Sequence, residues 1–501
     1  MNANLYALFE SHFPAGRERP CMLVPGGPVI HYDELAAWSG RIANALARLG
    51  CRPGDRVAVQ TDKAWQVVAL YLACLRAGLV YLPLNTAYRR SELEFFFADA
   101  TPRVIVCRPE MLGVIEALAH DAHVLTLTTA GGDLVARAEA EPAAFTTAAS
   151  RPDDLAAILY TSGTTGRSKG AMLTHRNLAS NAVALVGEWA FTRDDTLLHA
   201  LPVFHVHGLF VAVHCVLLAG ARMLWLPRFD AQEVAGLLPQ ATVMMGVPTF
   251  YTRLLAEPRL TPELCARVRL FVSGSAPLLP ETFSAWQVRT GHSILERYGM
   301  TETGMITSNP LEGARVPGTV GRPLRGVEVR VTDAGRVLEP GQVGQVEVRG
   351  PNVFAGYWNL PDKTRDEFTP DGWFRTGDVG EWVPPHENGA GYLRLVGRAK
   401  DLIISGGLNV YPKEIEERID ALPGVAESAV IGVPDADFGE AVVAVVVPRS
   451  GATLEPEAIV GALRGEVAGF KLPRRVHVVA ELPRNAMGKV QKNLLRDAYS
   501  K

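Results

Sequence analysis

The apolar run Leu155 to Tyr160 opens onto the stretch Thr161 to Gly170, TSGTTGRSKG. After Thr161 this stretch carries four hydroxyl side chains, three glycines and two cations. Glycines let backbone N–H groups turn toward an anion, hydroxyls add donors, and Arg167 and Lys169 supply charge, which is chemistry suited to triphosphate oxygens. It is not a Walker A loop, because Gly170 stands where that loop needs Ser or Thr. The strand in front of it argues against a plain Ser/Thr/Gly linker. Two further features point to an acid. Arg297 directly precedes Tyr298 to Glu302, and its planar fork matches a carboxylate in a bidentate pair. Sequence leaves open whether that carboxylate is internal, such as Glu296, or belongs to a substrate. His205 and His207 are two apart, so in an extended segment both would face one side. No neighbouring Cys or third ligand completes a metal set.

The motif TSGTTGRSKGAMLTH resembles the signature of the adenylate-forming superfamily of acyl-CoA synthetases, luciferases and nonribosomal-peptide adenylation domains. The likeness continues in the family's order through LPVFHVHG, VSGSAPL, ERYGMTET, GYW, DGWFRTGDVG, GRAKDLIISGGLNVYPKEIE and PRNAMGKVQK. The whole chain is most similar to the bacterial malonyl-CoA synthetase branch. The resemblance implies two steps: a carboxylate joins the α-phosphorus of ATP and expels pyrophosphate, then the CoA thiol attacks the acyl-adenylate. It implies Mg²⁺ as the metal, with ATP and CoA as co-substrates.

Site roles follow from the resemblance residue by residue. Thr161, Ser162, Gly163, Thr164, Thr165, Gly166 and Lys169 cradle the β and γ phosphates. Gly274, Ser275, Ala276 and Pro277 line the adenine. Glu296, Arg297, Tyr298, Gly299 and Thr301 belong to the nucleotide site, with Tyr298 stacking on the base and Thr301 at the α-phosphate. Glu302 holds Mg²⁺ as a hard oxygen ligand. Asp378 accepts from the ribose hydroxyls beside Arg398. Lys489 bridges carboxylate and α-phosphate during adenylation, while Gly406 and Gly407 enter for thioester formation. One rigid orientation is ill suited to both, which implies a domain rotation with Lys400 at the hinge. Arg297, His207 and Ser275 would bind the acid, with malonate the expected substrate and methylmalonate a second. Met244, Met245 and Val247 line its pocket or are plain core. The alternatives are a medium-chain or aryl acyl-CoA synthetase, and a stand-alone adenylation domain that loads a carrier protein. Lys489 is also a site where a lysine acetyltransferase and deacetylase could act.

The elements that must position these residues read as an α/β chain. A helix with Leu35, Ile42, Leu46 and Leu49 on one face ends at Gly50; RVAV, VYLPL and RVIVC read as strands, and Trp65 to Ala77 and RSELEFFFADA as helices. Repeated βα units imply a parallel sheet with ligands at the carboxyl ends of its strands. After Gly350, glycines, prolines and aromatics give short strands and turns. Beyond Lys400 come a helix from Pro412 to Leu422, strands at ESAVIGV and AVVAVVV, a helix at PEAIVGALRGEV and a strand at VHVVAEL. These features predict an α/β body followed, from a boundary near Gly397 to Asp401, by a small α+β domain; the resemblance implies that 1–398 is a multi-subdomain ATP- and acid-binding body and 399–501 a mobile catalytic domain.

Composition bounds the partners. With 501 residues, 50 Lys+Arg against 53 Asp+Glu and a net charge of −3, the chain lacks the basic excess of a nucleic-acid or acidic-membrane binder. The most apolar stretches, Ala64 to Leu84 and Leu209 to Leu226, are broken by Arg76 and Gly78 and by His214, Gly220 and Arg222. The six cysteines are scattered and form no CxxC pair, so reduced buried thiols are expected. The N-terminus lacks a basic segment followed by an apolar one. A cytoplasmic enzyme of small anionic molecules is the expectation, without nucleic-acid or membrane partners.

Overall fold

Short apolar strands alternating with helices are the pattern of parallel sheets covered on both faces. The computed structural model describes residues 2–16, 18–161, 168–383, 391–405, 408–435, 438–464, 466–485 and 488–500. It divides into two units, Met1–Val329 with Val348–Phe374, and Arg330–Glu347 with Arg375–Lys501.

The first unit holds two sheets. Among the described residues one is six-stranded, in the order His123–Thr126, Val104–Cys107, Arg56–Gln60, Val80–Pro83, Leu155–Thr161, Lys169–Thr174. Its pairs are parallel except the last, an antiparallel hairpin. The helix Trp65–Ala77 is buried almost throughout and stops at Gly78, whose φ of 68° suits the left-handed cap that glycine adopts without strain. The other sheet is nine-stranded among the described residues. Its parallel centre runs Leu295–Met300, Leu270–Ser273, Val243–Gly246, Thr196–His199, Arg222–Trp225, Pro20–Leu23. Antiparallel strands, Gly304–Ser308 on one side and Val29–His31 on the other, flank that centre.

The amino ends of three central strands are tied together. Asp195, Thr242 and Arg269 each directly precede a strand, and Asp195 accepts from Thr242 Oγ1 (2.7 Å), Arg269 Nε (2.8 Å) and Arg269 Nη2 (2.7 Å). Burial alone would raise the Asp195 pKa, but these bonds and the Thr192 N–H outweigh it and hold the carboxyl below the usual range. The carboxyl ends of the same strands carry the site described below.

The second unit holds most of a sheet formed by Arg336–Val337, Glu328–Asp333, Gly344–Arg349, Phe374–Val383 and Tyr392–Arg398. A separate sheet contains Leu408–Val410, Ile403–Ser405, Gly439–Pro448, Val425–Asp435 and Arg475–Val478. AVVAVVV is apolar throughout because both faces are covered: Val442, Ala444 and Val446 pack with Ile415, Ile419 and Ile459, while Ala441, Val443, Val445 and Val447 pack with Leu482 and Leu495. The helix expected at PEAIVGALRGEV spans only Pro456–Leu463, because the backbone of Arg464, at φ −67° and ψ 126°, has already turned to an extended conformation. The mixed α/β class is as the sequence implies. No described helix is long and apolar enough to cross a membrane. All six cysteines are free, and all but Cys51 are buried.

Candidate active site

The phosphate loop hangs from the hairpin of Leu155–Thr161 and Lys169–Thr174. Thr161 and Lys169 are register partners, and Thr161 Oγ1 donates to the Lys169 carbonyl at 3.4 Å. Ser162, Gly163, Thr164, Thr165, Gly166 and Arg167 lie outside the described residues, as do Gly406 and Gly407. The chain from Ala355 to Trp358 runs beside the second strand, through Ala355 N to Met172 O (3.0 Å), Met172 N to Gly356 O (2.9 Å) and Trp358 N to Gly170 O (2.7 Å). This pairing brings Tyr357 under Lys169, whose Nζ is 4.2 Å from the ring centroid and 3.5 Å from Glu367 Oε1.

The Tyr357 hydroxyl donates to Glu302 Oε1 at 3.0 Å, joining the lysine to the expected metal ligand. Glu302 is buried in the turn between Leu295–Met300 and Gly304–Ser308, next to half-buried Thr301. That turn is closed tightly: a Cβ on Gly299 would fall 2.1 Å from the Gly304 carbonyl oxygen. Asn181 pins it by accepting from Met305 N (3.0 Å) and donating to Met305 O (2.8 Å). A buried carboxylate hydrogen-bonded to a neutral phenol is a hard oxygen donor that fits Mg²⁺.

Strand register decides what Arg297 does. Ser273 pairs with Glu296 in parallel, so Gly274 comes level with Arg297. A Cβ on Gly274 would lie 2.4 Å from the guanidinium carbon, so the guanidinium rests on the space glycine leaves. Glu296 turns the other way, as successive strand residues do, and its Oε1 accepts from Leu278 N at 3.1 Å. The internal Glu296–Arg297 hydrogen-bonded pair that sequence left open does not form. Arg297 is 3% exposed, and its Nε and Nη2 have no hydrogen-bond partner among the described residues. Burial pushes its pKa down to about 10, against the opposing influence of Tyr251 and Glu296, so it stays cationic at neutral pH.

His207 lies in the same region. It is buried, its Nδ1 is 3.3 Å from Ser275 Oγ, and its Nε2 has no partner among the described residues. Burial first, then the Arg297 charge, holds it well below the usual histidine range, so the ring is neutral and offers one donor and one acceptor. Ser275 has φ of 73°, a left-handed conformation uncommon outside glycine and typical of strained site residues. The extended geometry assumed for His205 and His207 is not found. Phe204 lies in a turn, His207 opens the π-helical stretch His207–Val213, and its N–H donates to His205 Nδ1 at 3.3 Å. The two rings therefore do not form a same-face pair on a strand. Ala276 and Pro277 lead toward the helix Pro280–Thr290, Tyr298 is buried, and Met244 and Met245 are buried strand residues.

In the second unit Asp378 and Arg398 are register partners across a hairpin, with Arg398 Nε 3.1 Å from Asp378 Oδ1. Asp378 N–H donates to Thr376 Oγ1 at 3.0 Å. Lys489 is an exposed residue, yet desolvation and then the Arg398 guanidinium push its ammonium down to about 8 while Asp378 opposes them. Lys400 is lowered too, by desolvation first.

The AMP-binding enzyme family matches residues 11–358, and the AMP-binding enzyme C-terminal domain matches residues 414–489. The chain belongs to the AMP-binding enzymes. Among solved structures it resembles ATP-bound MatB from Rhodopseudomonas palustris, with TM-score 0.97 and 54% identity over 100% of this chain and 99% of that one. Among curated proteins it is 39% identical to mitochondrial malonate–CoA ligase ACSF3 of Mus musculus, over 93% of this chain and 87% of that protein. It is 37% identical to a feruloyl-CoA synthase of an Amycolatopsis species, over 95% of each. The adenylate-forming fold and the acid–thiol ligase class are thereby established. Two parts of this AMP-binding enzyme's site escaped sequence reasoning. GYW was recognised as a motif, but its Tyr357 was not linked to Glu302. The other is the space that Gly274 leaves, which Arg297 fills because strand register, not local sequence, puts the two level.

Proposed function

We propose that this AMP-binding enzyme is a malonate–CoA ligase that forms malonyl-CoA from malonate, CoA and ATP, with AMP and pyrophosphate as products. The observation that carries the substrate is the buried guanidinium of Arg297, with Nε and Nη2 unpaired among the described residues, beside neutral His207 with Nε2 likewise unpaired. An apolar or aryl acid would leave these donors buried without partners, at about 1–3 kcal/mol each. The unreacting carboxylate of malonate supplies the missing acceptors, and methylmalonate carries the same group. Similarity to MatB and to malonate–CoA ligase supports the same acid.

In the first step a malonate oxygen bonds to the α-phosphorus as the bond to the β-phosphate breaks and pyrophosphate leaves. Arg297 and Ser275 orient the acid, with His207 donating to or accepting from its oxygens. Thr161, Lys169 and the 162–166 loop take the β and γ phosphates, and Thr301 the α-phosphate. Glu302, aligned by Tyr357, would hold Mg²⁺, which supplies charge neutralisation on the phosphates. Ser275, Ala276, Pro277, Glu296, Tyr298 and Gly299 serve the adenine side, and Asp378 with Arg398 the ribose. Lys489 offsets charge building between carboxylate and phosphate. In the second step the CoA sulfur bonds to the acyl carbon, AMP departs, and the thiol proton is lost, with Gly407 admitting the pantetheine arm. Residues 399–501 act as the mobile domain, Lys400 being its hinge. We assign the enzyme to the cytoplasm and Lys489 as a residue whose acetylation would stop the first step.

AMP release should be measured for malonate, methylmalonate, propionate and ferulate, with and without CoA. Malonate should be preferred and CoA required for sustained turnover. Preference for ferulate or propionate, or unchanged malonate KM in Arg297→Met, overturns the proposal.

A further inference from the structure

Behind His207 lies a buried cation that the chemistry above does not use. Lys63 follows the strand Arg56–Gln60 of the six-stranded sheet and is 8% exposed. Its Nζ lies 2.7 Å from His199 Nδ1, 2.8 Å from the His199 carbonyl oxygen and 4.3 Å from the Trp225 ring centroid. No carboxylate pairs with it among the described residues, and desolvation alone holds its pKa well below the ordinary lysine value. Burying an amine without an acid is costly, and a methionine would fill the space without that cost.

His199 passes the contact on. Its Nε2 is 2.9 Å from the Gly208 carbonyl oxygen, which can only accept. Nε2 therefore carries the proton, and Nδ1 accepts from Lys63. The ring is held from both sides and cannot turn without losing both bonds. Gly208 is held on another side too, since a Cβ there would fall 2.0 Å from the Pro202 carbonyl oxygen. The residue fixed in this way adjoins His207, whose Nδ1 faces Ser275.

We propose that Lys63 and His199 are positioning residues that hold His207 where it meets the acid, and so help this enzyme to select an acid with a second anionic group. The inference rests on the malonate reading of the acid site. Lys63 spans the two sheets of the first unit, from the loop after one to the end of a strand in the other.

The test compares kcat/KM for malonate and propionate in wild type, Lys63→Met, His199→Phe and Arg297→Met. Lys63→Met and His199→Phe should each raise malonate KM at least tenfold, leave ATP KM within twofold, and lower the malonate-to-propionate ratio tenfold or more. Equal loss for both acids, or no loss, overturns the relay. If Arg297→Met also leaves the ratio unchanged, the malonate reading itself fails; if only Arg297→Met lowers it, the relay alone fails. Should the variants not fold, nitrogen-15 histidine NMR of the wild-type enzyme decides. His199 protonated on Nε2 at pH 7 supports the relay, and protonation on Nδ1 overturns it.

Discussion

Gly274→Ala tests the acid site at its tightest point. The added Cβ would lie 2.4 Å from Arg297 Cζ, 2.5 Å from Nη1 and 2.6 Å from Nε. Ordinary carbon contacts begin near ~3.5 Å, so the guanidinium must retreat by roughly 1 Å. The backbone at Gly274 has no positive φ, so alanine brings no main-chain strain there. What yields is the far end of a long side chain, and the fold should survive. A retreat of that size removes one charge-assisted hydrogen bond to the second carboxylate, worth about 1.5–3 kcal/mol. That corresponds to a loss of roughly 10- to 150-fold in kcat/KM for malonate. AMP formation followed against malonate concentration, with ATP titrated separately, reads this directly. ATP KM should stay within about twofold, and thermal unfolding should move only a few degrees. A folded Gly274→Ala enzyme with wild-type malonate kinetics would refute the placement of Arg297 against the acid.

Lys489→Ala should abolish pyrophosphate exchange yet retain thioester formation from supplied malonyl-adenylate; loss of only the second step would reverse the roles of Lys489 and Gly407. Because the Lys489 ammonium sits near 8, adenylation should fall as pH rises through about 8, and Lys489→Arg should move that limb upward in a pH–rate profile of the first step. Tyr357→Phe keeps the ring under Lys169 but frees Glu302 from its 3.0 Å bond, so the Mg²⁺ needed for half-maximal pyrophosphate exchange should rise about tenfold. Arg269→Met leaves the buried Asp195 carboxylate without its cation and should cost about 3–5 kcal/mol in denaturant unfolding at pH 7. The deficit should shrink as pH falls below about 4, since Asp195 has a lowered pKa in the native wild type and loses its contribution on protonation.

Local chemistry was legible where it depends on neighbours in the chain. The Thr161 to Gly170 loop declared itself through glycines and hydroxyls after an apolar strand, and AVVAVVV through its unbroken apolar run. The pairing of Arg297 was half legible: strand alternation alone predicts that Glu296 and Arg297 face apart, but the gap at Gly274 depends on register with another strand. Tyr357 and Glu302 are 55 residues apart and meet because the Ala355 to Trp358 segment pairs with the hairpin. His205 and His207 misled because period-two reasoning was applied to a segment that turns and then coils. Lys63 carried no signal at all, since a lone loop lysine is ordinarily solvated.

The knot of Asp195, Thr242 and Arg269 lies at the amino ends of strands whose opposite ends present His199, Val247 and Gly274. Cohesion and recognition are thus separated along the strand axis. Loops at the recognition end can exchange residues without loosening the frame, because nothing in the knot depends on them. Substitutions at the recognition end should therefore change what is bound more than they change the stability of the sheet.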